Sequence, residues 1–230
     1  MKPAAVLFTG GKDSCLALFR AKQGGYNIKY LLAVLPESYD SWMWHKPFID
    51  LLEAQAKSLG IPLIVQNSDA DKEKKLNDLE HLFEKVKGKV ECIVTGGVAS
   101  KYQGDRIGKA AKKFGFEVIL PIWHIPAQEL WQECIKNNFK IVITKISCDG
   151  IPPEMLNKPI DPETYRKLLK LSKEYSFDII AEGGDFETTV LDMPLFKKEI
   201  EVSGDIESEG AYRHFFMIKK VKLLPKKGSH

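Results

Sequence analysis

No apolar run in the 230-residue sequence approaches the ~18 residues that a membrane-spanning helix needs, so no membrane partner is expected. Cysteine is sparse and scattered. Cys15, Cys92, Cys134 and Cys148 form no C-x-x-C and no Cys/His pair at zinc spacing, which argues against a disulfide framework and a structural zinc site. Excess charge is also missing: 34 Lys+Arg against 31 Asp+Glu leave a formal net charge of +3. A nucleic-acid binder normally carries a strong basic patch, so no stable nucleic-acid partner is expected. The basic cluster Lys219, Lys220, Lys222, Lys226 and Lys227 alternates with Val221 and Leu223, as in a last strand with one solvated face. The apolar N-terminal run Ala4–Phe8 leads into a glycine turn and not a small-residue cleavage site, so the chain reads as cytoplasmic.

What is present is an alternation of apolar runs and helical patterns. Ala4–Thr9, Ile28–Leu35, Ile61–Val65, Cys92–Thr95 and Glu117–Leu120 read as buried strands. Between them lie helical patterns over Ser14–Gly24, Pro47–Leu59, Lys72–Lys87 and Lys101–Phe114. Nearly continuous apolar strands separated by helices predict a doubly wound parallel α/β core, covered on both faces. After Pro121 the texture changes to a helix over Ala127–Asn137, a strand Ile141–Ile146 and a helix Thr164–Tyr175 behind Asp161-Pro162, an N-cap followed by proline. Phe177–Ala181 reads as a strand, and Lys198–Val202 and Tyr212–Leu224 as antiparallel strands. The expected division is a doubly wound core over residues 1–123 and a smaller C-terminal α+β domain over 124–227.

Thr9-Gly10-Gly11-Lys12-Asp13-Ser14 stands between the first strand and the first helix. Two glycines let the backbone approach an anion, the helix behind them aims free N–H groups at it, and Lys12 adds a point charge. Ser14 can cap the helix and reach a phosphate oxygen. The loop is neither the Walker-A pattern nor the dinucleotide G-x-G-x-x-G. A tight strand-to-helix turn with a surface lysine is the plainer alternative, and Asp13 and Ser14 weigh against it.

Taken whole, the hexapeptide resembles the S-G-G-x-D-S pyrophosphate loop of the ATP pyrophosphatase superfamily, with Thr9 keeping the first hydroxyl. Three more segments narrow the resemblance: Asp40-Ser41-Trp42-Met43-Trp44-His45, Gly96-Gly97-Val98-Ala99-Ser100-Lys101-Tyr102-Gln103-Gly104-Asp105-Arg106, and Glu182-Gly183-Gly184-Asp185-Phe186-Glu187-Thr188. With Pro121-Ile122-Trp123 they look like the diphthine–ammonia ligase family, in the expected order from residue 4 to 224. The family pattern has Glu where this chain has Asp185, one methylene shorter.

The resemblance implies ATP-dependent amidation of diphthine on elongation factor 2 by ammonium, giving diphthamide, AMP and pyrophosphate through an acyl-adenylate. It implies ATP and Mg²⁺ as cofactors. Thr9, Gly10, Gly11, Lys12, Asp13, Ser14, Gly96, Gly97 and Ser100 would bind ATP. Lys12, Asp13 and Arg106 would serve catalysis, with Asp13 on the metal. Trp42, Trp44, His45, Tyr102, Gln103, Glu182, Gly183, Gly184, Asp185 and Glu187 would hold the acceptor. A carboxylate is ionised at neutral pH, so it attacks phosphorus without a general base, and the site need only neutralise charge and align the groups. Trimethylammonium and ammonium both favour acids and aromatic faces, with Trp123 a further candidate.

Plainer alternatives stand beside each assignment. Ser100-x-x-Gln103 is also a capping box. Arg106 is also a plausible surface residue, and Glu182, Asp185 and Glu187 fit a solvated hairpin loop. The competing functions are a tRNA-modifying ATP pyrophosphatase, disfavoured by the missing paired cysteines and low net charge, and a non-catalytic nucleotide-sensing module.

Overall fold

In the computed structural model, which describes residues 1–37, 42–69, 74–97 and 101–226, the chain divides into two units, Met1–His124 and Ile125–His230. The first is built on β1 (Pro3–Leu7), β2 (Asn27–Glu37), β3 (Leu63–Asp69), β4 (Cys92–Val94) and β5 (Glu117–Ile119). They form one sheet in the order β3-β2-β1-β4-β5, with every neighbouring pair parallel. Ala4, Ala5 and Val6 and all of β4 are buried, as a strand covered on both faces requires.

Helices α1 (Lys12–Gln23), α2 (Trp42–Leu59), α3 (Lys74–Val86) and α4 (Lys101–Lys113) supply the crossovers. A right-handed crossover moving one way along the sheet places its helix on one face, and moving the other way on the opposite face. The path β1-β2-β3 runs one way and β4-β5 the other. Accordingly, Leu82, Phe83 and Val86 of α3 and Ala110 and Ala111 of α4 share one cluster with Ala5, Leu32 and Ile93. The strand order therefore reverses between β1 and β4. In open α/β sheets the crevice at the carboxyl ends of such a strand pair is the ligand site. The glycine loop follows β1, and Gly96-Gly97 follows β4.

The second unit contains α5 (Ala127–Lys136), β6 (Lys140–Ile146), α6 (Pro162–Tyr175), β7 (Phe186–Asp192), β8 (Lys198–Glu209) and β9 (Arg213–Pro225). Its sheet has the order β7-β6-β9-β8 with antiparallel pairing throughout. The doubly wound core and the following α+β unit are thus the architecture that the hydrophobic pattern predicts.

Two local expectations are corrected. Helix α2 begins at Trp42, not Pro47. The sequence rule puts proline at the first helical position, where its missing N–H costs nothing; here the helix continues ahead of it and forgoes one bond. Phe177–Ala181 is not a strand but a chain of turns. The Asp178 carboxylate accepts N–H bonds from Ile180 at 2.9 Å and Glu182 at 3.1 Å, so the backbone is satisfied locally and not by a ladder. The strand lies further on, as β7.

Asp161 caps α6 as its spacing predicts, accepting from the N–H of Thr164 at 2.7 Å and Glu163 at 3.1 Å. The Thr164 N–H bond, above all, holds its carboxyl below the usual carboxylate range. A lowered folded-state value stabilises above the unfolded pKa of about 4 and is lost as pH falls through the folded value. Asp161→Ala is expected to lower Tm at pH 7, and by progressively less below about pH 4, in thermal melts across that range. A pH-independent deficit would mean the charge plays no part.

Candidate nucleotide site and acidic loop

Gly10 has φ +74°, the left-handed conformation that glycine adopts without penalty. It turns the chain out of β1 so that α1 starts at once, with Gly11 as N-cap and no side-chain cap bond. Ser14 is therefore not the cap but the third helical residue, and its hydroxyl ties the loop together from within. It donates to the Gly11 carbonyl at 3.1 Å and accepts from the Thr9 N–H at 3.3 Å, with Thr9 Oγ1 at 3.2 Å. The positive end of the helix faces the loop, as an anion site requires.

Lys12 is only 2% exposed and its Nζ lies 2.9 Å from Asp13 Oδ2, while Asp13 is 31% exposed. An ammonium held at the base of a glycine cradle and already facing a carboxylate is arranged to meet a second anion. Gly96 approaches this turn closely. A Cβ on it would lie 2.7 Å from the Asp13 carbonyl carbon and 2.8 Å from Asp13 O and Ser14 N. At Gly97 a Cβ would meet nothing within 4 Å. The two glycines thus do different things: Gly96 lets β4 dock on the loop, and Gly97 leaves open space beside it. Arg106 is half-buried on α4. Ser100 lies outside the described residues, as do the side chains of Trp42, Trp44, His45, Tyr102 and Gln103. Trp123 is half-buried and meets His124 edge-on at 4.7 Å. Arg20 of α1 donates to the Pro121 carbonyl at 2.9 Å, fastening that segment to the same helix.

One residue escaped the sequence reading. Gln55 of α2 is fully buried and its Nε2 donates to the Gly10 carbonyl at 2.9 Å. The available signal was a glutamine within Leu51-Leu52-x-Ala54-Gln55-Ala56, a polar side chain on a buried stretch.

In the second unit Glu182, Gly183 and Gly184 are exposed and Asp185 is half-buried. Ala181 at φ +65° and Gly184 at φ +85° reverse the chain. Asp185 Oδ2 accepts the Asp178 N–H at 2.8 Å, and Asp185 O accepts the Ser147 N–H at 2.7 Å, so Asp185 braces the loop that it belongs to. Trp131 Nε1 donates to Ile179 O at 2.9 Å from beneath. Glu187 stands apart on β7, paired with Lys145 of β6 at 2.8 Å. Among the described residues no group of three His, Cys, Asp or Glu is placed to hold a metal ion.

The acidic character of this loop is felt by Cys148. Burial, then the nearby Asp185 and Asp149 carboxylates, push its thiol up to about 11. Against an ordinary value of about 8.5, its thiolate fraction at pH 8 falls on the order of a hundredfold. Cys148 is accordingly expected to alkylate slowly with iodoacetamide at pH 8. Asp185→Asn should speed this by a few-fold, since burial is the larger cause; mass-resolved labelling checks it. An unchanged rate would mean the Asp185 charge does not reach the thiol.

Comparison with known proteins agrees with both units. The model of the diphthamide synthase N-terminal domain matches residues 1–118, and that of the diphthamide synthase C-terminal domain matches residues 127–224. The diphthine–ammonia ligase of Bos taurus is 32% identical, covering 86% of this chain and 82% of its own. Those of Homo sapiens and Danio rerio are 30% and 27% identical, each covering 94% or more of both chains. Among solved structures, a "predicted subunit of tRNA methyltransferase" from Methanocaldococcus jannaschii DSM covers 84% of this chain and 98% of its own, at TM-score 0.46 and 17% identity, too distant to bear on the site. The two domain matches, together with near one-third identity over most of the chain, mean that the protein belongs to the diphthine–ammonia ligase family.

Proposed function

We propose that the chain catalyses ATP-dependent amidation of the diphthine residue of elongation factor 2 by ammonia, an AMP-forming carbon–nitrogen ligation. The observation that carries the nucleotide half is the close seating of Gly96 on the Asp13–Ser14 backbone at the sheet's reversal point. It joins the loops after β1 and β4 into one cradle of backbone N–H groups around a buried lysine. On this reading residues 1–123 bind ATP and residues 124–227 serve the acceptor.

The chemistry asks little of the protein beyond placement. The diphthine carboxylate oxygen attacks the α-phosphorus of ATP, and the bond to the β-phosphate oxygen breaks. Pyrophosphate leaves into the Gly10–Ser14 turn, where helix N–H groups and Lys12 meet its charge. Ammonia then adds to the acyl carbon, loses a proton to water and expels AMP. Arg106 would stand on the α-phosphate side. A single carboxylate, Asp13, beside a phosphate cradle suits Mg²⁺, which takes one or two protein carboxylates and keeps phosphate oxygens and waters as its other ligands. That ion supplies charge neutralisation along the phosphates. The acids at 178, 182 and 185 make the second unit's loop negative, and so suited to ammonium and to the trimethylammonium group.

Phosphorus NMR of the purified chain with ATP, Mg²⁺, ammonium and diphthine-bearing elongation factor 2 tests this. AMP and pyrophosphate should appear only with the acceptor present, with a matching mass change on it. ADP and phosphate would exclude attack at the α-phosphorus.

A further inference from the structure

Gln55 carries no charge and lies 45 residues from Gly10 in sequence, yet it hydrogen-bonds the backbone of the glycine loop. Its side chain is fully buried, and its one carboxamide reaches out of α2 to the Gly10 carbonyl at 2.9 Å. It also packs closely against the glycine: a Cβ on Gly10 would be 2.1 Å from Gln55 Oε1. Gly10 at φ +74° is the residue that turns the chain from β1 into α1.

A peptide unit is planar and trans, so the carbonyl of one residue and the N–H of the next point in opposite directions. A Gly10 carbonyl drawn inward to Gln55 therefore sets the Gly11 N–H outward. The partner of that N–H within the loop is Thr9 Oγ1 at 3.4 Å, a long bond readily exchanged for a phosphate oxygen.

We infer that Gln55 is a positioning residue of the nucleotide site, which fixes the Gly10–Gly11 peptide so that its N–H faces the pyrophosphate portion of the bound nucleotide. The inference rests on the nucleotide-binding reading above and concerns how the cradle is held. Without the carboxamide donor the peptide loses this restraint, and a flipped peptide presents a carbonyl oxygen to the phosphates instead of an N–H.

Gln55→Met keeps side-chain length and removes the donor. Calorimetric titration should show ATP and inorganic pyrophosphate binding weakened at least tenfold. The KM for ATP should rise by the same factor while the KM for ammonium stays within twofold. Ser58→Ala, at another buried polar position on α2, should lower Tm without moving either KM. Binding within twofold of wild type in Gln55→Met overturns the inference, as does an equal rise in both KM values. Should that variant not fold, NMR of the wild-type chain reads the same point. The Gly11 amide should shift on pyrophosphate addition while the Gln55 carboxamide protons stay protected from exchange; a stationary Gly11 amide overturns it. A wild-type chain that binds ATP but never amidates would defeat the proposed reaction and leave Gln55 standing. One that binds neither ATP nor pyrophosphate would defeat both.

Discussion

Gly96→Ala is expected to destabilise the first unit by about 3 kcal/mol or more, and to weaken ATP binding at least tenfold. Overpacking a well-filled site typically costs about 1–3 kcal/mol because side chains shift to relieve it. Here the atoms in the way are the Asp13 carbonyl carbon at 2.7 Å and Asp13 O and Ser14 N at 2.8 Å. All belong to the backbone of the first turn of α1 and cannot rotate aside. Either the segment after β4 withdraws from the loop or the loop deforms, and both routes spread the cradle. Adjacent Gly97 provides the contrast, since a methyl there meets nothing within 4 Å. Gly97→Ala should leave stability within about 0.5 kcal/mol, as surface substitutions usually do. Denaturant melts of the two variants, with ATP titrations of each, make the comparison. Equal stability in both would contradict the packing of Gly96 on α1. Lost affinity in Gly97→Ala at full stability would place the ligand in the open space beside it.

These two glycines also mark how far the sequence could be read. Both stand past the end of an apolar strand, and the family resemblance gives both to ATP binding. Only the neighbouring backbone, more than eighty residues earlier, separates the one that packs from the one that faces open space. The parallel core was legible because burial on both faces writes itself into each strand as an unbroken apolar run. The same rule misled at Phe177–Ala181, where Phe177, Ile179 and Ile180 fit a strand within a five-residue window. What overrides the window is the Asp178 carboxylate, taking two backbone N–H groups, and Trp131, donating to Ile179 O from 48 residues away. Gln55 was illegible for a related reason. A glutamine's chemistry depends on its partner, and the partner is a carbonyl 45 residues distant. The residues that announced themselves, Lys12, Asp13 and Ser14, did so by local pattern, but the pattern did not distinguish a hydroxyl aimed at phosphate from one that braces the loop.

Lys12 and Asp13 are expected to respond to substitution to different degrees, and the asymmetry follows from their burial. Lys12→Met removes an ammonium that is 2% exposed and leaves behind a carboxylate whose side chain is 31% exposed. Removing one partner of an ion pair leaves the other charge uncompensated, at a cost that is smaller the more that charge is exposed. Tm should therefore fall, but by less than in Asp13→Asn, while AMP formation falls about 10²–10³-fold, the usual loss when one preorganised donor to developing charge is removed. Asp13→Asn leaves the more deeply buried ammonium without its carboxylate at 2.9 Å, which should cost about 3 kcal/mol. Magnesium-free pyrophosphate then separates the two roles. An anion that binds only the folded chain raises Tm with its affinity. The rise should be enlarged in Asp13→Asn, where the ligand meets an ammonium relieved of its competitor, and lost in Lys12→Met. A full pyrophosphate-induced rise in Lys12→Met would place the anion away from Lys12 and remove that residue from the cradle.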